Sequence, residues 1–184
     1  MNFVEEDRKL VEDFINGSES AFKKLVDKYS KKIYWHARGM LNNHLDADEI
    51  TQQVIIVLYN KLKTFKFESA LYTWIFRITS TRCINFIRKR KIQKIFSLSD
   101  ENYNNLTSRN DIVKDFERKD EIEQIEKALR KLPVKQREVF IMKNFEEMSY
   151  KEISEITGKS IGGLKANYFH ALKKVTEILN DSEQ

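Results

Sequence analysis

The sequence predicts an all-α chain: two small helical domains joined by a flexible linker, the second containing a helix-turn-helix. One proline and five glycines in 184 residues leave long helices uninterrupted. Apolar residues recur at the spacing of a helix with one buried face along most of the chain. From Ser97 to Asp111 the composition turns to Ser, Asn and Asp with few apolar residues, the mark of a linker. The expected domains are therefore 1–94 and 119–184, with 95–118 between them.

The elements follow in order. Val4 to Ile15, with Leu10, Val11, Phe14 and Ile15 apolar, reads as a short amphipathic helix stopped by Asn16-Gly17. Ser18 or Ser20 can cap what comes next. Ala21, Phe22, Leu25, Val26 and Tyr29, then Ile33, Tyr34, Ala37, Met40 and Leu41, fit two helices or one kinked helix equally well, ending at Asn42-Asn43. Asp46 with Glu49 three residues on resembles a capping box opening a helix to about Lys63. Inside that helix Val54-Ile55-Ile56-Val57-Leu58 wraps the whole circumference, so it is either central to a bundle or partly covered by a partner. After a break at Thr64–Ser69 a cationic helix is expected from about Leu71 to Arg90. Helix resumes near Asp111, with Ile122, Ile125, Ala128, Leu129 and Leu132 in phase, and Pro133 ends or kinks it.

Composition excludes several classes. Hydrophobic residues at 41% are enough for a sizeable core. The single cysteine, Cys83, rules out an internal disulfide and fits a reducing cytoplasm. The start, Met-Asn-Phe-Val-Glu-Glu-Asp, has no signal-peptide character, and no apolar run is long enough to span a membrane, so we expect a cytoplasmic chain with no membrane insertion of its own. His36, His44 and His170 are scattered and Cys83 has no ligand-spaced neighbour, so neither metal nor cofactor is expected. No phosphate loop, nucleophile elbow or carboxylate pair supports an enzyme.

The net charge of +5 is unevenly spread: residues 18–94 carry 16 basic and 6 acidic groups, residues 95–184 carry 15 and 17. A polyanion is thus gripped mainly by the front half. Between Phe65 and Lys94, Phe65, Phe67, Tyr72, Trp74, Phe76 and Phe86 sit among Lys66, Arg77, Arg82, Arg88, Lys89, Arg90, Lys91 and Lys94, with no acid between Ser69 and Ser99. Cations release counterions from phosphates and ring faces stack on bases, which together make a single-strand surface. The competing reading is that Trp74, Ile75 and Ile78 are plain core and the charges a solvated face.

The sharpest local signal lies near the end. Ser149-Tyr150-Lys151-Glu152 is a capping box, Ile153 and Ile156 an apolar face, Gly158 a turn, and Ser160 a cap for a second helix carrying Leu164, Tyr168, Ala171, Leu172 and Val175 inward. A small residue at Ser154 lets the two helices cross closely. This is a helix-turn-helix, whose second helix presents Gly162, Gly163, Lys165, Ala166, Asn167, Phe169 and His170 to a major groove.

Two ordered sets of motifs match one family. Asp46-Ala47-Asp48-Glu49-Ile50-Thr51-Gln52-Gln53, Tyr72-Thr73-Trp74-Ile75-Phe76-Arg77-Ile78 and Arg88-Lys89-Arg90-Lys91 resemble the second region of RNA polymerase sigma factors. Leu132-Pro133-Val134-Lys135-Gln136-Arg137-Glu138-Val139-Phe140, Met148 to Ile153 and Ser160 to Lys165 resemble the fourth. The match runs from Ser18 to Leu179 and leaves no room for a third region, so the chain resembles the small extracytoplasmic-function sigma factors. The resemblance implies that Asp48, Glu49, Gln52 and Gln53 dock on the clamp of core polymerase, with a second contact to its flap. It implies that Lys66, Phe67, Tyr72, Thr73, Trp74, Arg77, Ser80, Thr81, Arg88 and Lys89 capture the minus-ten element with a flipped base. Ser160, Gly162, Gly163, Lys165, Ala166, Asn167, Phe169, His170 and Lys173 would bind the minus-35 duplex, and an anti-sigma factor is a further expected partner. Ala166, Asn167, His170 and Leu172 stand where the family commonly has a serine and arginines, so the upstream sequence itself does not carry over. The same features also fit a polymerase-independent helix-turn-helix regulator, or a helical adaptor that binds RNA.

Overall fold

The computed structural model describes residues 3–97 and 116–181. These form eight α-helices and one short 3-10 turn: α1 (Phe3–Ile15), α2 (Glu19–Leu41), α3 (His44–Lys61), the turn Leu62–Thr64, α4 (Leu71–Ser97), α5 (Phe116–Lys131), α6 (Val134–Asn144), α7 (Tyr150–Thr157) and α8 (Ile161–Asp181). The Ser/Asn-rich stretch and the expected helix start near Asp111 lie outside the described residues.

Helices α1 to α4 make the front bundle. Val11 and Phe14 of α1, Leu25, Ile33 and Met40 of α2, Ile50, Val54 and Leu58 of α3 and Ile75 of α4 are buried together. The chain turns after α1 at Gly17, whose φ of 99° suits a residue without Cβ. Asp7 of α1 is tied to α2 by the Lys28 ammonium at 2.7 Å and the Tyr29 hydroxyl at 2.5 Å.

Three local expectations are corrected. Residues 19–41 form one unbroken helix, because the buried stripe Ala21, Leu25, Tyr29, Ile33, Ala37 and Met40 runs through it without a breaker. The cap of α3 is Asn43, whose side chain accepts from the Asp46 amide at 3.0 Å; Asp46 itself pairs with Arg90. Helix α4 passes Arg90 and reaches Ser97, an exposed extension in which Arg and Lys are good helix formers. In the run 54–58, Val54 and Leu58 are buried while Ile56 is 59% exposed, so both the core role and an open apolar face are present.

Helices α6 to α8 surround Val139, Met142, Met148, Ile153, Ile156 and Leu164, while Ala128, Leu129 and Leu132 of α5, with Phe140 and Ile141 of α6 and Ala171 and Val175 of α8, continue the front core into the rear bundle. Leu172, expected inward, is 43% exposed; Ala171 and Val175 fill the interior of α8 instead. The two bundles are docked together. Phe76 of α4 is buried in the rear cluster. The Arg137 guanidinium donates to the Met40 carbonyl at 2.7 Å and to those of Arg130 and Leu132 at 3.2 and 3.1 Å, joining the ends of α2 and α5. No helix among the described residues is long and apolar enough to cross a membrane.

Candidate nucleic-acid interface

A groove of about 860 Å³ runs between α3 and α4. Trp74, Arg77, Ile78, Thr81, Asn85, Phe86 and Lys89 line it from α4, and Asp46, Glu49, Gln53 and Val57 from α3. At its head Trp74 is only half-buried and leans on Phe65, with ring centroids 5.1 Å apart; Phe65 in turn meets Phe67 edge-on at 5.0 Å. Phe67 sits at a φ of 57°, a left-handed conformation costly for a residue with a Cβ, and Arg8 covers its ring at 5.0 Å. The aromatic trio thereby fixes the loop before α4 and holds one ring at the mouth of a cationic groove.

Side chains across the groove are partly engaged with one another. Arg82 donates to Gln53 at 2.8 Å, and Gln53 donates to Glu49 at 2.9 Å. The Asp46 carboxyl is pushed up by burial, against the opposing pull of Arg90. Lys66, Thr81, Arg88 and Lys89 are exposed, and the Thr81 hydroxyl donates to the Arg77 carbonyl at 2.7 Å. On α3, Glu49 and Gln52 are exposed and Asp48 half so, 3.2 Å from His44. Leu45, Ile56 and Tyr59 add an exposed apolar set to the same helix, at 75%, 59% and 45%.

The opposite face of α4 is covered. Tyr72 donates to Glu152 and Ser80 donates to Glu138, while Arg77, exposed at the edge of the groove, reaches across to the Glu155 carbonyl at 2.5 Å. Burial, then the hydrogen bond to Glu152, push the Tyr72 hydroxyl up to about 12. Thr73 and Ser80 are 1% and 3% exposed. Ten minus-ten residues were expected on one surface; the structure instead divides them between an open groove and a closed seam. The seam partners Glu138, Glu146 and Glu152, and His36, which meets Glu146 at 2.6 Å, are absent from the sequence-based site. Their pairing spans 58 to 110 residues of chain and leaves no local signal.

The helix-turn-helix forms as the sequence implies. Ser149 and Glu152 make a complete capping box, Gly158 takes a φ of 69°, and the Ser160 hydroxyl accepts from the Gly163 amide at 3.2 Å. The Ser154 hydroxyl closes the turn on the Lys159 carbonyl at 2.7 Å. On the outer face of α8, Gly162, Gly163, Lys165, Ala166, Phe169, His170 and Lys173 are exposed and Asn167 is half so. Lys165 lies 5.9 Å from the Tyr150 ring, and Phe169, 64% exposed, meets His170 edge-on.

Residues 25–92 match the Sigma-70 region 2 model, and residues 122–175 match the Sigma-70 region 4 model. The chain is 28% identical over 181 residues to the ECF RNA polymerase sigma factor SigW of Bacillus subtilis, covering 95% of this chain and 97% of that one. It is 27% identical to the ECF RNA polymerase sigma-E factor of Haemophilus influenzae, covering 92% and 93%. In fold it is similar to CnrH, solved in complex with the cytosolic domain of CnrY, with a TM-score of 0.73 at 20% identity over 96% of this chain and 98% of that one. It is also similar to the sigma factor RpoE of Bartonella quintana, solved with the anti-sigma factor NepR, with a TM-score of 0.68 at 23% identity over 86% and 96%. Two regions in the order and spacing of one family, on a fold the family shares, place this chain among the sigma-70 factors, in the extracytoplasmic-function group.

Proposed function

We propose that this sigma factor binds core RNA polymerase, directs it to promoters through two DNA elements, and helps melt the downstream one. In this reading residues 1–94 are the polymerase-docking and melting unit, 95–118 the linker and 119–184 the upstream reader. The exposed side of α3 around Asp48, Glu49 and Gln52 meets the clamp, with Leu45 and Ile56 supplying apolar area. Gln53 already bridges Glu49 and Arg82, so it orders that edge as much as it contacts a partner.

The observation that carries the reading is the Trp74 groove: a half-exposed indole braced by Phe65 and Phe67 at the head of a channel ending in Lys89 and Arg90. A non-template base drawn out of the duplex loses its stacking, a few kcal/mol, and regains it against the ring while phosphates run along the cations. The exposed front of α8, from Ser160 to Lys173, enters the major groove of the minus-35 duplex. The chain works in the cytoplasm and carries out no bond chemistry of its own. An anti-sigma factor is a fitting partner, since one fold relative was solved with such a protein.

Adding the purified chain to bacterial core polymerase and scoring transcripts from a promoter library tests this. Promoter-selective initiation supports the reading. Tight operator binding without polymerase would instead make the chain a free-standing regulator, and preference for structured RNA would make it an RNA adaptor.

A further inference from the structure

The turn between α2 and α3 brings a row of rings to one of the carboxylates proposed to dock on polymerase. The Tyr34 hydroxyl of α2 lies 2.6 Å from Nδ1 of His44, the first residue of α3, and His44 Nε2 lies 3.2 Å from Asp48 Oδ2 one turn further on. Tyr34 meets the His44 ring edge-on at 5.7 Å and the Trp35 ring edge-on at 5.2 Å. An ionised carboxylate only accepts hydrogen bonds, so a neutral His44 ring turns an Nε2 proton toward Asp48 and takes the Tyr34 hydrogen at Nδ1. We propose that Tyr34 and His44 are positioning residues for docking on core polymerase: the hydroxyl fixes the ring and its tautomer, and the ring aims the Asp48 carboxylate at the clamp.

The inference rests on the docking role given above to the exposed side of α3. The His44 and Asp48 side chains stay 41% and 45% exposed, so the relay orients the carboxylate without hiding it from a partner. A surface pair of two mobile side chains contributes little, because both must be ordered when they meet. Here one end is already held. The His44 ring is fastened to a tyrosine ten residues back in the preceding helix, across the left-handed residue Asn42 that ends it. Asp48 is thereby ordered in the folded chain rather than at the moment of binding, which strengthens docking without adding a contact. Leu45, 75% exposed and three residues before Asp48, and Trp35, 52% exposed beside Tyr34, frame the relay with apolar area.

Affinity of the full chain for core polymerase, measured by competition with the labelled wild type, carries the test, with promoter opening at saturating polymerase as a second readout. His44→Phe keeps a ring against Tyr34 and removes the donor. It should weaken core binding about fivefold, as for the loss of one half-exposed hydrogen bond, and leave promoter opening unchanged. His44→Gln, which can still donate to an acid four residues on, should bring affinity back to within about twofold of wild type. Tyr34→Phe releases the tautomer: the nitrogen-15 shifts of the neutral His44 ring should show a mixture, where the wild type shows the Nε2–H form alone. In an Asp48→Ala background the His44→Phe loss should vanish, because the two residues act as a unit. A loss that persists there overturns the relay, as do full affinity in His44→Phe, a Gln variant no better than the Phe variant, or an Nδ1–H ring in the wild type. Unchanged core binding in Asp48→Ala alone removes the docking role of that carboxylate, and the relay with it. Failure of the proposed function shows separately, as no binding of the wild-type chain to core polymerase.

Discussion

Trp74 is the residue on which melting rests, because its ring is braced on one side and open to the groove on the other. Trp74→Ala should weaken open-complex formation by roughly 1–3 kcal/mol, the worth of one stacked base, read as lost permanganate reactivity of promoter thymines. Competition for core polymerase should be unchanged; a fall in melting temperature with normal promoter opening would make the indole mere core. His36 carries a pH prediction. Burial disfavours its charged ring, but the charge and hydrogen bond of Glu146, with help from Glu138, outweigh this and raise its pKa. A raised folded value means the ion pair contributes fully below the ordinary histidine range, near 6.5, and fades as pH rises through the raised value. Thermal stability of the wild type relative to His36→Gln should therefore be greatest at acid pH and shrink on the alkaline side; a pH-independent gap would contradict it. Trp74 was legible in the sequence because rings and cations cluster there with no acid nearby. The burial of Ser80 was not, because its partner Glu138 comes from a distant helix of the other domain.

Among the elements, the helix-turn-helix was readable almost to the residue, since its signals are short-range: a serine and a glutamate three apart, then a glycine in the left-handed region. Gly158→Ala should cost about 1 kcal/mol in chemical denaturation, the price of a Cβ at positive φ, and Gly158→Asn less. An equal loss for both would point to a steric cause, although a Cβ there meets nothing within 4 Å. Lys165→Ala and Asn167→Ala should alter preference for the upstream element in a footprinting assay while leaving promoter opening intact; an unchanged preference would remove α8 as the reader. The start of α3 was misjudged because two acids three apart mimic a capping box, whereas Asn43 accepts the hydrogen bond and Asp46 turns to Arg90. The length of α4 was underestimated for a related reason. A run of cations looks like a helix end, but it continues the helix when nothing breaks it.

For the whole molecule, the uneven charge gives a salt prediction. Neutralising Arg88 and Lys89 together should flatten the log–log salt dependence of downstream-strand binding by about 1.4, near 0.7 for each single-strand contact, with no such change for Lys173→Gln. Equal slopes would place the phosphates elsewhere. The division into two helical units was visible in composition; their docking was not, because the seam is made of isolated residues contributed by helices far apart in the chain. One buried side chain there has a practical use. The Cys83 thiol is wholly enclosed, and burial together with the negative charge of Glu138 and Glu146, both from the rear bundle, keeps it protonated. A maleimide or iodoacetamide should therefore react slowly with the folded chain and much faster once denaturant opens it, so one native sulfur can time the loss of the packed core with no engineered label.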